Sequence, residues 1–261
     1  KTINLEIWLS NKKKNLPPER KIKYLGSKEV NSGCNTFYGN ENRVSVWRKE
    51  ELPKVLIHEL IHSLGLEKYN GYLEVENYIY DHFDIKRNNR FNFFENYVEI
   101  MAELLNISLT MIENGKNDIK TFNQYLELEC YHCFFQVGKI LNYFGYKKWN
   151  TFYRSDGFKE EEKTTKYLQK SNIFSYFVFR SLVLFNIKDF IKLCMEINKR
   201  NFFKQDFESN NFLNIIIKSL LDKKYESLIN KFIKINLIGN KNNIIYNNLR
   251  MTCFEPLIMV K

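Results

Sequence analysis

With 261 residues, the chain is long enough for one large domain or two closely joined lobes. Its 44% hydrophobic and 16% aromatic content excludes wholesale disorder. The 40 Lys and Arg against 30 Asp and Glu give a net charge of +10. The lysines are scattered and accompany no basic nucleic-acid motif, so the sequence predicts a solvated surface and no specific nucleic-acid partner.

No apolar run reaches the ~18 residues of a membrane span. The most apolar stretch, Phe174 to Phe185, is short and carries Arg180. The five cysteines are an odd number in a long chain, which argues against a disulfide scaffold and for a reducing, intracellular setting, cytoplasmic by expectation. Because the chain starts at Lys1 rather than Met, it is read as a fragment or a processed form.

In chain order, Ile3, Leu5, Ile7 and Leu9 alternate with polar residues and Trp8, a period-two strand. After Pro17-Pro18, Lys21 to Leu25 forms a second short strand in this reading. Asn31-Ser32-Gly33 is turn chemistry, and Arg43 to Arg48 alternates again through Val44 and Val46. A helix is predicted from about Glu50, with Glu50 and Glu51 at the positive end of its dipole, Pro53 in its first turn and Gly65 as its stop. Leu56, Ile57, Leu60, Ile61 and Leu64 wrap that helix, which makes it a buried one.

Asn70 to Asn89 reads as a polar, tyrosine-rich connection. Beyond it the chain is helical: Phe93–Asn114, Thr121–Phe144, Ser171–Phe185, Ile187–Asn198 and Phe212–Phe232, with an asparagine-rich loop from Gly239 to Asn248. The organisation expected is α+β. A lobe of residues 1–68 holds a small sheet and one helix, 69–90 connects, and 91–261 is a larger all-helical lobe, the whole acting as one unit.

The chemistry lies in His58-Glu59-Leu60-Ile61-His62. Residues four apart lie on one helix face, so both imidazoles reach one tetrahedral metal, and a carboxylate beside the first ligand can serve as general base to its water. Two core histidines and a core glutamate would instead need three separate polar partners on an apolar helix. One Zn2+ is therefore expected on His58 and His62, with Glu59 as base.

A third ligand is needed. In the metzincin pattern a histidine ligand would stand three residues after Gly65; Lys68 is there instead, so that pattern is excluded and the choice passes to the stripe Glu95, Glu99 and Glu103. Ala102 beside Glu99 allows close helix approach, which favours Glu99 as ligand and Glu103 as the group orienting an imidazole. Glu95 is the second choice, and His82 and Asp84 are others.

These motifs resemble the gluzincin branch of zinc peptidases, in which H-E-x-x-H is completed by a glutamate on a later helix. A wider likeness is to uncharacterised zincin-like proteins of large DNA viruses. It is carried by Ser32-Gly-Cys-Asn-Thr36, Val44-Ser-Val-Trp-Arg-Lys-Glu-Glu51, Lys54 to His62, Tyr97-Val-Glu-Ile-Met-Ala102, Ser171-Asn-Ile-Phe-Ser-Tyr176 and Leu249-Arg-Met-Thr252. The resemblance implies a zincin-like sheet and metal helix, hydrolysis of peptide bonds in a peptide or protein substrate by a zinc-activated water, and substrate pairing along the Arg43–Arg48 strand.

An oxyanion donor is expected among Tyr176, His132 and Arg180, with Tyr176 preferred for its family-like segment. Cys130 and Cys133 are read as buried free thiols. Two other classes stay open: a zincin-fold interaction module without activity, and a basic nucleic-acid-binding protein with an incidental motif.

Overall fold

In the computed structural model, the residues described are 2–17, 24–38, 41–68, 71–87, 89, 91–164, 166–197, 202–205, 208–239 and 243–256. The first strand forms where its alternation predicts, but the alternation does not mark a buried face: Leu5, Ile7 and Leu9 are exposed and Ile3 is half-buried. β1 (Thr2–Ser10) pairs parallel with β4 (Glu41–Arg48), whose other side pairs antiparallel with β3 (Gly33–Tyr38), giving the order β1-β4-β3. Val44 and Val46 project from β4 onto Leu52 and Val55, so helix α2 (Leu52–Leu64) seals one face of this sheet.

The second strand predicted, Lys21 to Leu25, falls mostly outside the described residues. Leu25–Gly26, β2, leaves the three-stranded sheet and pairs with β5 (Gln169–Lys170). That pairing and the one-turn helix α1 (Ser27–Val30) tie the first lobe to the second. Asn31 to Gly33 is no turn, since Gly33 already pairs with Val46.

The connection expected between the lobes folds instead into α3 (Leu73–His82), which buries Val75, Ile79 and Tyr80. The apolar periodicity of these three residues wins over the polar composition around them. The predicted helices then follow as α4 (Phe94–Glu113), α5 (Ile119–Tyr143), a π-helical turn over Phe174–Phe179 running into α6 (Arg180–Phe185), and α7 (Ile187–Ile197).

The single helix predicted over Phe212–Phe232 is two, α8 (Ser209–Leu221) and α9 (Lys223–Ile238). Asp222 stops the first and caps the second, accepting from the Lys224 N–H at 2.8 Å. Within the asparagine-rich loop lies a short helix, α10 (Ile244–Asn247). No helix among the described residues is long and apolar enough to cross a membrane. The architecture is mixed α+β, with a small sheet and a larger helical part.

The larger core runs from Leu25, Val30 and Ile61 through α3 to α9, and Val44, Val46, Leu52 and Val55 form a smaller cluster under the sheet. The C-terminal segment completes the packing. Its Leu249 N–H donates to Lys14 O at 2.7 Å, and the Leu16 N–H donates to Asn247 O at 2.6 Å. Met251 and Thr252 are buried behind the start of α2.

Candidate metal centre

Helix α2 carries the motif and is fixed at both ends. Gly65 ends it in a left-handed conformation, φ 62°, and its N–H donates to His62 O at 2.9 Å. At the other end Glu51, φ 60°, precedes the first turn. Its carboxylate is turned away from the helix dipole and accepts from the N–H groups of Met251 and Thr252. Leu64 is 62% exposed, so the apolar residues do not close the helix all round. Lys54, His58 and His62 face α4, while Glu59, also buried, lies on the side of β3.

His58 and His62 meet Nε2 to Nε2 at 3.1 Å. The carboxylate converging with them belongs to Glu95, whose Oε2 lies 3.3 Å from His58 Nε2 and 3.5 Å from His62 Nε2. Glu99, expected as third ligand, is one turn further along α4. Its Oε1 is 2.9 Å from His58 Nδ1, on the far side of the ring, in a contact too bent to be a full hydrogen bond. Glu103, expected to orient an imidazole, faces Arg180 instead at 3.1 Å. The orienting places are held by Glu99 for His58 and by Glu67, whose Oε1 is 2.7 Å from His62 Nδ1.

With both rings neutral and their protons on Nδ1, where Glu99 and Glu67 stand, each Nε2 lone pair faces the other. Three electron pairs then converge: two Nε2 atoms and Glu95 Oε2, itself buried without a hydrogen-bond partner. Such an arrangement repels itself unless a cation sits between the three. A metal bound tetrahedrally at ~2.0–2.1 Å holds its donors about 3.3–3.4 Å apart, which these three separations match. The residues fit a metal ion.

Burial opposes charge on His58, but Glu99 and Glu95 outweigh it and raise the imidazole to about 10. Burial likewise opposes His62, yet Glu67 and Glu95 raise it to about 9. Glu95, despite burial, is brought down to about 2 by the two imidazoles. The cluster holds protons strongly.

Glu59 is buried and has no hydrogen-bond partner among the described residues; burial raises its carboxyl, and the two imidazoles only partly offset this. It lies against Gly33. A Cβ there would stand 2.8 Å from Glu59 Oε1 and 2.9 Å from Val55 Cγ1, so the glycine is needed for close approach. Gly33→Ala is expected to cost about 1–3 kcal/mol and to displace Glu59, measured as urea-unfolding stability with the crystal structure of the variant. An unchanged Glu59 position at wild-type stability would refute this.

Tyr176 is the one of the three candidate donors that reaches the centre. Its ring stands edge-on to His58, centroids 6.3 Å apart, and burial and Glu95 hold its hydroxyl protonated. His132 instead meets Arg250 O at 3.1 Å, and Arg180 is occupied by Glu99 and Glu103. His82 stacks on Tyr78, while Asp84 accepts from Tyr146 and Thr164; neither joins the cluster. Cys130 and Cys133 are free thiols donating to Leu184 O and Phe177 O.

Three residues at the site went unread in the sequence. Glu67 shows no motif spacing, and Asn172, which donates to Glu95 Oε1 at 3.1 Å, shows none either. Lys54 did leave a signal. It is a lysine four residues before His58 in an otherwise apolar helix and is 2% exposed, which demands a buried carboxylate partner.

No family model, no curated protein and no solved structure matches this chain.

Proposed function

We propose that this chain is a zinc-dependent peptidase of gluzincin type. His58 Nε2, His62 Nε2 and Glu95 are the residues that hold the metal, and Glu59 is the general base. The observation that carries this is the convergence of three buried donor atoms, one of them orphaned, beside a carboxylate on the same helix. The bound ion would supply Lewis acidity, polarising a carbonyl and making a water easier to deprotonate.

The rest is done by the chain. Glu59, raised by burial, is suited to take a proton from water near neutral pH and return it to the leaving amine. Tyr176 keeps its proton and offers a neutral O–H to developing negative charge, with Asn172 Nδ2 3.5 Å from its oxygen. Asn172 also holds the second oxygen of Glu95, which fixes the direction of the first.

Substrate pairing needs a correction. The Arg43–Arg48 strand is paired on both sides, so it offers no edge. β3 is an edge strand among the described residues and contains Gly33 beside Glu59, which makes it the strand an extended peptide would join. The buried position of His58, Glu59 and His62 favours short peptides or a flexible loop over folded protein.

The test is a peptide-library digest with zinc-loaded protein. Cleavage is expected in the wild type and lost with chelator. In Glu59→Gln it should fall about 10²–10⁴-fold while zinc is retained. Zinc-loaded wild type that cleaves no peptide would sink the peptidase reading and leave an inactive interaction module.

A further inference from the structure

The centre is backed by a buried charge ladder that a zinc site does not by itself require. Glu99, whose Oε1 faces His58 Nδ1, gives its other oxygen to two cations. Lys54 Nζ bonds Glu99 Oε2 directly, and Arg180 Nη1 lies 3.4 Å from it. Lys54 and Arg180 are 2% and 1% exposed, and Glu99 is 3% exposed. Arg180 also reaches Glu103 Oε2 at 3.1 Å, and Lys54 Nζ lies 3.9 Å from it. Beyond Glu103 stands Glu129, which accepts from Thr252 Oγ1 and from the N–H groups of Cys253 and Phe254.

We propose that Lys54 and Arg180 are positioning residues for the metal, acting through Glu99; this rests on the zinc reading above. A carboxylate bearing on an imidazole Nδ1 sets the tautomer and ring direction of that ligand only if the carboxylate is itself fixed. Glu99 has one oxygen for the ring, and its torsion about the carboxyl axis is set by what the other oxygen touches. Lys54 and Arg180 hold that oxygen from two elements, α2 and α6. They pin the imidazole from behind, while Glu95 and His62 meet it in front. Lys54 sits one helical turn before His58 on the same helix, so the clamp and the ligand move together.

The sign of the effect separates positioning from charge. Lys54 is a fixed positive charge near a site for a dication, so its field alone disfavours the metal. Removing it would tighten binding if charge dominated and weaken binding if positioning dominated.

The experiment measures zinc affinity by chelator competition in wild type, Lys54→Met and Lys54→Gln, together with the visible spectrum of each cobalt(II)-loaded protein. Thermal unfolding of the metal-free forms checks that each is folded. Lys54→Met is expected to bind zinc about 10–100-fold more weakly and to show an altered cobalt spectrum. Lys54→Gln keeps a donor for Glu99 Oε2 and is expected to recover within about threefold of wild type, which a merely structural role would not produce. It also serves where Lys54→Met does not fold. Equal or tighter zinc binding in Lys54→Met, or equal weakening in both variants, overturns the proposal. Absence of zinc from wild type overturns this proposal and the zinc reading together, whereas zinc in wild type with an unaffected Lys54→Met overturns this one alone.

Discussion

Glu95→Gln is expected to lose zinc, and Glu99→Gln to keep it with reduced affinity. The two glutamates are one helical turn apart on α4 and both buried, so composition and exposure do not distinguish them. Geometry does. Glu95 Oε2 faces both Nε2 atoms and has no hydrogen bond, whereas Glu99 is spent on His58 Nδ1, Lys54 and Arg180. Losing a residue behind a ligand weakens binding about 10–100-fold, and losing the ligand itself weakens it further.

Zinc per chain by elemental analysis, with affinity by competition, reads the difference. About one zinc per chain in wild type and Glu99→Gln, with little in Glu95→Gln, is the expected pattern. The reverse pattern would return the ligand role to Glu99. A thermal readout runs in parallel: zinc at about a thousand times its dissociation constant adds ~4 kcal/mol of stability, and Glu95→Gln should lack that shift.

Protons compete for the same lone pairs. The carboxylates raise both imidazoles, so below about pH 9 protons occupy the point where the metal would bind. Each Nε2 also faces Glu95 Oε2, at 3.3 Å and 3.5 Å, so each ring can carry its own proton there. Zinc affinity is therefore expected to fall about tenfold per pH unit for each proton displaced as pH drops below 9, up to ~100-fold per unit where both rings are protonated. A flat profile from pH 9 to 6 would contradict the geometry.

How much of this was legible follows from which residues speak through local spacing. His58 and His62 did, because a four-residue step on a helix fixes their common face whatever the tertiary fold. The helices α4, α5 and α7 did, because their apolar periodicity is long. The choice between Glu95 and Glu99 did not. Both lie on one stripe of α4, and which of them meets the imidazoles depends on how far α4 slides past α2, a packing quantity. Ala102 allowed a close helix approach but said nothing of where along the helix it occurs.

Gly33 misled in a related way. Asn-Ser-Gly reads as a turn, yet the glycine was there to make room for Glu59, a contact across 26 positions of chain. The strand Arg43–Arg48 was found but its neighbours were not, because alternation gives the faces of a strand and leaves its place in the sheet open. Sequence position alone places Glu50 and Glu51 at a helix dipole. Their partners, Lys14 and the segment around residues 251–252, are far away in the chain.

That last contact yields the largest stability effect expected here. Lys14 Nζ and Glu51 Oε2 are 2.7 Å apart, with side chains 2% and 0% exposed. Burial pushes the Glu51 carboxyl up, but Lys14, Lys54 and Arg250 outweigh it and bring it to about 2, against an ordinary 4.5. A carboxylate lowered on folding stabilises fully above its unfolded value, and the gain is lost as pH falls from about 4.5 through about 2. A shift of this size corresponds to roughly 3 kcal/mol.

Glu51→Gln keeps an oxygen to accept from Met251 and Thr252 N–H, so it removes the charge and little else. At pH 7 the variant should lose about 3–5 kcal/mol, because Lys14 stays buried without its partner. That corresponds to roughly 10 °C in midpoint for a chain of this size. Urea unfolding from pH 7 to pH 2 should show the wild-type advantage shrinking below pH 4.5 and nearly gone at pH 2. The double variant Lys14→Met/Glu51→Gln should regain most of the loss at pH 7, since a buried ion pair removed whole costs far less than one removed by half. A single variant within 1 kcal/mol of wild type by urea unfolding at pH 7, or a gap constant down to pH 2, would mean the pair is not the clasp that closes the C-terminal segment over helix α2.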